Sequence, residues 1–444
     1  MESSEKGQES RSALIESLEL AQMTERDWRI FRENNDILIK GHRIPNPIRK
    51  WSDIEPGLFP AEVMQNISNQ GYERPTPIQM QAIPTGRHMR DLLALAPTGS
   101  GKSCAFLLPM ISFLMRLPPV AGEVAENGPY SLIMAPTREL AQQIDVEFQK
   151  LTKNTRLRSA VVVGGKSAQE QGSIISRGVE IVIGTPGRIE DCLERRLLVL
   201  NQCFFCVLDE ADKMIEMDLE ESVNKIIASI PIELQKSEDE EELQIQEEEM
   251  MQGKSFSRSF MMFSATMQPE IEKLAQKYLK HPAYIQIGDP GGAKKEIEQR
   301  VEFIHGGENQ RKRVLAKLLE RFKKPPIIVF VNQKADTELL QNYIKNELGH
   351  RCVALHGSKS QDRREAALDS LREGKVDILV CTNVAARGID IDSVGHVINY
   401  HAPFSIVDYI HRIGRTGRAG KHGMATTLLT PEDEAIFYDL RKYL

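Results

Sequence analysis

No run in this chain approaches the roughly 18 consecutive apolar residues that a membrane span requires. The opening, Met1-Glu-Ser-Ser-Glu-Lys6, is polar and partly acidic and lacks the apolar centre of a secretory signal. These two absences lead to the expectation of a soluble protein working inside the cell. The six cysteines, at 104, 192, 203, 206, 352 and 381, form no paired framework. That excludes a disulfide-stapled fold and suits reduced thiols. Positive charge is short as well: 57 Lys+Arg stand against 63 Asp+Glu, a formal net charge of −6. Nucleic acid cannot then be held by gross charge, and any such site must be local. What the chain does have is 41% hydrophobic and 27% charged residues over a length of 444. This excludes disorder for the chain as a whole, and it exceeds what one core usually organises, so two globular domains are expected.

Cys203-Phe-Phe-Cys206 is a lone CxxC beside a strand-like run, without further ligands at zinc spacing. Residues three apart on a strand face opposite sides of a sheet, so both thiols are read as structural.

Residues 1 to about 22 are polar, and Met23–Arg32 then mixes aromatics with charge at helical spacing, as a short docking helix would. Pro45-Asn-Pro47 breaks any helix. After Trp51, short apolar runs alternate with amphipathic stretches: Leu92–Ala96, Leu132–Ala135, Ala160–Val163, Val179–Gly184, Phe204–Asp209 and Phe260–Ser264. This pattern predicts an α/β fold with a parallel sheet covered on both faces. Glu233–Glu249 carries nine acids against the single Lys236 and is expected to be a solvated, mobile insertion (233–254), either a spacer or a partner site. Asp289-Pro-Gly-Gly-Ala-Lys-Lys-Glu296 cannot continue regular structure and is taken as a linker. Beyond it the alternation restarts at Ile327–Val331, Cys352–Leu355, Val376–Cys381, His396–Tyr400 and Ala425–Leu429. The expected organisation is an extension over 1–50, a domain over 51–288, the linker at 289–296 and a domain over 297–444, with a cleft that opens and closes.

Ala96-Pro-Thr98-Gly99-Ser100-Gly101-Lys102-Ser103 follows a strand and precedes an apolar helical run, the context of a phosphate-binding loop. Its glycines let backbone amides turn toward phosphates at a helix N-terminus; Lys102 would neutralise β/γ oxygens and Ser103 hold Mg²⁺. Ala96 stands where the general pattern has Gly. At the end of another apolar strand, Asp209-Glu-Ala-Asp212 offers Asp209 as a second Mg²⁺ ligand and Glu210 to orient or deprotonate a water. Alone this string also fits a solvated turn. Arg412, Arg415 and Arg418 recur every third residue in His411–Arg418, as suits charge on a transferring phosphoryl group, with a solvated basic loop as the lesser reading.

Taken together, these stretches resemble the DEAD-box ATP-dependent RNA helicases over about residues 51–444. The resemblance also rests on Tyr72–Gln79, Ala135–Leu140, Gly164-Gly165, Thr185–Arg188, Ser264-Ala-Thr266, Val329–Gln333, Gln361–Arg364 and Thr382–Asp390. It implies two RecA-like domains and an RNA-dependent ATPase that uses ATP and Mg²⁺. It implies that Gln79 reads the adenine edge, that Tyr72 and Trp51 lie near the base, that Asp390 meets the ribose, and that Arg415 and Arg418 are arginine fingers. Ser264 and Thr266 are implied to link the acid cluster to RNA by bonding toward Asp212. RNA contacts carry over to Arg138, Gly165, Thr185, Arg188, Arg364 and Thr382, which suit sugar and phosphate rather than bases. The family usually has Asp where this chain has Asn383, so hydrogen bonds could persist there while a salt bridge could not.

Met23–Glu33 followed by Ile44–Arg49, together with the acidic insertion, resembles the spliceosomal branch of the family, which displaces the first small nuclear RNA from the five-prime splice site. That implies a nuclear protein whose partners are small nuclear RNA, pre-mRNA and spliceosomal small nuclear ribonucleoprotein proteins. The long arginine-serine or charged arm common in animal members does not precede this segment, which implies a compact version or a piece of a longer chain. An RNA-clamping scaffold with little turnover, and a helicase of ribosome assembly or translation, are the alternatives.

Overall fold

A computed structural model describes residues 18–55, 57–165, 167–288, 297–322, 324–359, 361–383, 394–417 and 422–444. The chain divides into two compact units, Met1–Pro290 and Gly291–Leu444. The expected linker, 289–296, lies outside the described residues. Among the described residues, no helix is long and apolar enough to cross a membrane.

The first unit is built on eight strands: β1 (Ile37–Lys40), β2 (Leu92–Leu95), β3 (Ser131–Met134), β4 (Ser159–Val162), β5 (Ile181–Gly184), β6 (Phe205–Leu208), β7 (Ser259–Ser264) and β8 (Ala283–Ile287). They lie in the order β1-β8-β2-β7-β6-β3-β5-β4, all parallel except β1, which runs antiparallel to β8. Burial follows position in the sheet. Central β2, β3, β5, β6 and β7 are buried at every residue, whereas edge strands β1 and β4 alternate. One face packs under the helices Lys102–Leu114 and Arg138–Leu151, the other under Pro269–Tyr278 and Glu220–Ala228.

The helix Glu25–Asn34 buries Trp28 and Phe31 in the first of these cores, and β1 extends the sheet beside it. The free thiols of Cys203 and Cys206 also differ in setting from the strand argument. Cys203 precedes β6, where alternation does not apply, so it fills the same apolar cluster as Cys206.

The acidic insertion, expected to be solvated throughout, instead buries one face. It forms the helix Glu240–Gln252, opened by Asp239, whose carboxylate accepts from the Glu241 and Glu242 amides at 3.0 Å, and closed by Gly253 at φ 70°. Its inward face, Leu243, Glu247 and Met250, follows an i, i+4, i+7 spacing with an acid in the middle. That acid is neutralised inside the fold: Glu247 Oε1 lies 3.4 Å from Lys236 Nζ and 3.3 Å from Arg90 Nε. Lys236 also donates to Asp91 Oδ1 at 2.9 Å and to the Met89 carbonyl. The remaining acids face water. The network closes over the amino ends of β2, β7 and β8, where Asp91 also accepts from the amides of Phe260 and Lys280.

The second unit has six parallel strands, β9 (Ile297–Phe303), β10 (Ile327–Phe330), β11 (Cys352–Leu355), β12 (Ile378–Cys381), β13 (His396–Asn399) and β14 (Gly423–Leu429), ordered β11-β12-β10-β13-β14-β9. Alternate residues of β10 feed two cores, Ile328 and Phe330 on one face, Ile327 and Val329 on the other.

His396 in β13 is buried beside Thr426, its Nε2 2.8 Å from the hydroxyl. Burial, reinforced by Arg300, pushes its imidazole from an ordinary 6.5 down to about 4. Between those two values the unfolded chain binds the extra proton and the folded chain does not, so stability is lost as pH falls through that window. Lowering the pH from about 7 to about 4.5 should therefore cost the second unit up to about 3 kcal/mol through this group. Urea unfolding at the two pH values should show a smaller acid loss for His396→Gln than for the unaltered chain; equal losses would remove His396 as the source.

Candidate functional site

The phosphate-loop segment leaves β2 at its carboxyl end. Gly99 at φ 76° and Gly101 at φ 91° hold left-handed backbone, and Gly101 caps the helix Lys102–Leu114. The Lys102 ammonium donates to the loop's own carbonyls, Ala96 at 2.9 Å and Pro97 at 3.1 Å. Gln79 binds the loop from the side, its Nε2 donating to the Gly101 carbonyl at 3.1 Å while its Oε1 accepts from the Thr76 amide at 3.0 Å. A Cβ on Gly101 would stand 2.5 Å from the Gln79 Nε2, so a side chain there would push the Gln79 amide off the loop as well as strain the left-handed backbone. Ser103 and Thr98 are half-buried. The hydroxyl oxygens of Ser100 and Thr76 and the indole nitrogen of Trp51 are buried without a hydrogen-bond partner, polar groups that a nucleotide's oxygens and nitrogens would satisfy.

Two strands away, Asp209 closes β6 with its amide donating to the Met134 carbonyl at 3.0 Å. Burial pushes its carboxyl from 3.8 up to about 7, Lys102 opposing the rise and Glu210 adding to it. Glu210 adopts left-handed backbone at φ 53°, a strained state for a residue with a side chain, and caps the helix Ala211–Glu216. Its carboxylate is 2.9 Å from Lys213 Nζ, the two side chains 8% and 0% exposed. Lys213 was not singled out in the sequence, although its place three residues on, in a helix, is the available signal.

Asp212 is the junction with β7. Its Oδ2 accepts from the Ala265 amide at 3.1 Å and from the Thr266 amide and hydroxyl, each at 3.0 Å, and its Oδ1 accepts from the Lys213 amide. Thr266 thus bonds to Asp212 as expected, but Ser264 does not: its hydroxyl donates to the Thr266 carbonyl at 2.8 Å and closes the turn from within.

Tyr72 and Cys104 meet on a residue that sequence reasoning missed. The Tyr72 hydroxyl and, at 3.3 Å, the Cys104 thiol both donate to Glu147 Oε1. Burial, with Cys104 and Glu147 adding, holds the Tyr72 phenol well above its ordinary value. Glu147 lies on the helix Arg138–Leu151, so one carboxylate joins three elements. Nothing in its own neighbourhood of sequence marks it.

Arg138 opens that same helix, and its guanidinium lies over the turn after β4: a Cβ on Gly165 would be 2.5 Å from its Nη1. Thr185 caps the helix Pro186–Glu194 at the end of β5, and Arg188 donates to Asp191 at 2.8 Å and to the Val163 carbonyl at 3.4 Å. Gly101, Glu210, Thr137 and Thr185 therefore cap helices at one sheet edge, following β2, β6, β3 and β5 with β7 between the first two, where helix N-termini and their dipoles favour anions.

In the second unit, Thr382 is buried at the end of β12, Arg364 is half-buried on the helix Gln361–Arg372, and Arg415 is buried with its Nε donating to the His411 carbonyl at 3.2 Å. Asp390 and Arg418 lie outside the described residues. Arg412 is an internal clamp rather than a member of an exposed triplet. It is 2% exposed, and it donates to Asn383 Oδ1 at 2.6 Å, Asn332 Oδ1 at 2.8 Å, the His401 carbonyl at 2.7 Å and Asn399 Oδ1 at 3.4 Å. All four acceptors are neutral, and burial lowers the guanidinium from 12.5 to about 10. Asn383 thus keeps the hydrogen bond and forgoes the charge. Among the described residues, no group of three or more His, Cys, Asp or Glu is placed to hold a metal ion, so a cation at Ser103 and Asp209 would complete its shell from elsewhere. Asn383→Asp should place a carboxylate on a guanidinium already buried and aligned, and should raise stability by about 1 kcal/mol at neutral pH. A calorimetric midpoint that falls, or does not move, would show that desolvation of the new carboxylate cancels the gain.

Comparison with known proteins bears on this geometry. The DEAD/DEAH box helicase family matches residues 76–274, and the helicase conserved C-terminal domain matches 310–420. The Neurospora crassa pre-mRNA-splicing ATP-dependent RNA helicase prp-28 is 47% identical over 427 residues, covering 96% of this chain and 58% of the relative. The chain spans a little over half the length of the curated relatives it matches. Among solved structures, the yeast DEAD-box splicing factor Prp28 is 38% identical with a TM-score of 0.56, covering 93% of this chain and 89% of that one. The Chaetomium thermophilum RNA-helicase Prp28 bound to ADP is 43% identical with a TM-score of 0.51, covering 96% and 95%. With the phosphate loop, the acid cluster and the Ser-Ala-Thr turn meeting at one sheet edge, and with both family regions matched in order, this chain belongs to the DEAD/DEAH box helicase family.

Proposed function

We propose that this chain is an RNA-stimulated ATPase that binds single-stranded RNA and locally opens short RNA duplexes in pre-mRNA splicing. The observation that carries this reading is the row of helix caps at the carboxyl edge of the first sheet, with phosphate-binding residues toward β2 and guanidiniums toward β4. In this reading the loop Thr98–Ser103 takes the phosphates of ATP, Lys102 moves from its two loop carbonyls to the β/γ oxygens, and Glu210 orients the attacking water. The donor set fits Mg²⁺: Ser103 and Asp209 offer hard oxygens, too few for a cage of their own, as expected for an ion that shares its shell with phosphates. When bound, the ion would neutralise charge on the transferring phosphoryl group.

Gln79, Tyr72, Trp51 and Asp390 serve the nucleoside, and Arg415 and Arg418 the phosphoryl charge. Arg138, Gly165, Thr185, Arg188, Arg364 and Thr382 serve the RNA backbone, with Asp212, Ser264 and Thr266 transmitting its presence to the acid cluster. Residues 51–288 and 297–444 act as the two RecA-like domains of the enzyme. The names of the Neurospora and yeast relatives support a splicing role. We assign small nuclear RNA and pre-mRNA as substrates, small nuclear ribonucleoprotein proteins as partners, and the nucleus as the place of action.

Lys102→Ala should reduce RNA-saturated turnover below about a tenth of the unaltered chain, since it removes the phosphate cation; because the ammonium is buried on the Ala96 and Pro97 carbonyls, an unchanged melting midpoint would separate this loss from a folding defect. Turnover above that level would sink the assignment. Gln79→Ala should narrow the preference for ATP over GTP, and equal use of both by the unaltered protein would contradict adenine reading. Displacement of a small nuclear RNA from a five-prime splice-site duplex, compared with its displacement of ribosomal RNA duplexes, tests the splicing assignment.

A further inference from the structure

The helix Gly307–Arg321 of the second unit presents a surface that none of these roles uses. Its Leu315, Leu318 and Leu319 are buried, which fixes the side turned to water. On that side Arg313, Lys317 and Arg321 follow at steps of four, and Lys324 stands just past the helix end; all four are exposed. The three helical cations are then about 6 Å apart along the axis, comparable with the repeat of phosphates along a nucleic-acid strand. Arg311 on the same helix, and Arg300, Arg351 and Lys375 elsewhere on this unit, each have a carboxylate within 4.0 Å. Among the described residues, none of the four stripe cations does. Four like charges on one face repel one another, and an anionic strand relieves that repulsion. The stripe is also separate from Arg364, because its helix packs with Leu340 and Ile344 on one face of the sheet while Ala367, Leu368 and Leu371 of the helix Gln361–Arg372 pack on the other.

We propose that Arg313, Lys317, Arg321 and Lys324 form a second RNA surface, which takes the phosphate backbone of RNA beyond the segment held at the carboxyl edges. The proposal rests on the RNA-binding reading above, and binding here is independent of base sequence. The test uses the whole chain, a short oligouridylate and a long one, with polyglutamate as a competing polyanion. Replacing the four cations together by Gln should weaken long-RNA binding about tenfold or more at moderate salt and lower the slope of log affinity against log salt by about 3, near 0.7 per lost contact. ATP turnover stimulated by the short RNA should not change. Glu320, the acid on the same side of the helix, supplies a test of opposite sign: Glu320→Gln should tighten long-RNA binding, which a folding defect cannot imitate. Unaltered affinity and slope in the fourfold variant would overturn the proposal, as would equal weakening of short and long RNA. A variant that lost polyglutamate binding while keeping long RNA would overturn it in favour of an acidic protein partner. Failure of any RNA to stimulate the unaltered chain would instead defeat the helicase reading.

Discussion

Strand direction governs what this molecule can do. In the first unit every strand but β1 points the same way, so every strand but one delivers its chain to the same edge. Parallel strands must be joined by crossovers, and here the helices Lys102–Leu114, Arg138–Leu151, Pro186–Glu194 and Ala211–Glu216 all begin at that edge. Residues separated by up to about a hundred positions in sequence become neighbours in a row, and that row attracts anions before any side chain is considered. The side chains then divide the labour: small residues where backbone must approach, as at Gly101 beneath Gln79, and guanidiniums where the helices stand further along.

Charge buried in the fold is used to hold pieces in register. Asp212 gathers three donors from the turn after β7 and one from its own helix, so the acid cluster is tied directly to the Ser-Ala-Thr turn. Arg412 does the same in the second unit by drawing together the segments that follow β10, β12 and β13. Groups of this kind contribute little net stability compared with an apolar core, but the loss of one partner leaves the others stranded, so they specify an arrangement more than they strengthen it. Lys213 against Glu210 belongs to the same class and sits where the chemistry is proposed.

Much of this was legible in the sequence, for reasons that also explain what was not. Central strands are buried at every residue and therefore mostly apolar, so β2, β3, β5, β6 and β7 are legible as short apolar runs, as are β10 to β13. The strands that escaped notice, β1, β8 and β9, lie at or next to an edge and carry residues such as Lys40, Gln286 and Arg300 that face water. The insertion was misread because its inward stripe contains Glu247, and the cations that neutralise it come partly from Arg90, far away in sequence. Glu147 was invisible for the same reason: its meaning lies in Tyr72 and Cys104, which only the fold brings to it. Local motifs announce chemistry, whereas the residues that orient them are set by tertiary neighbours.

The insertion helix has a practical consequence. It is anchored at the amino ends of the strands, across the sheet from the row of caps, and its Ile245 faces solvent at 57% exposure. All six cysteines of the chain are buried, and burial holds each thiol above its ordinary pKa, which makes them slow to react. A thiol introduced by Ile245→Cys would consequently be the one that a maleimide dye finds first. The protein thus offers an attachment point for a fluorescent reporter, tied to the first sheet through Lys236 and Glu247 and remote from the edge where nucleotide and RNA binding is proposed.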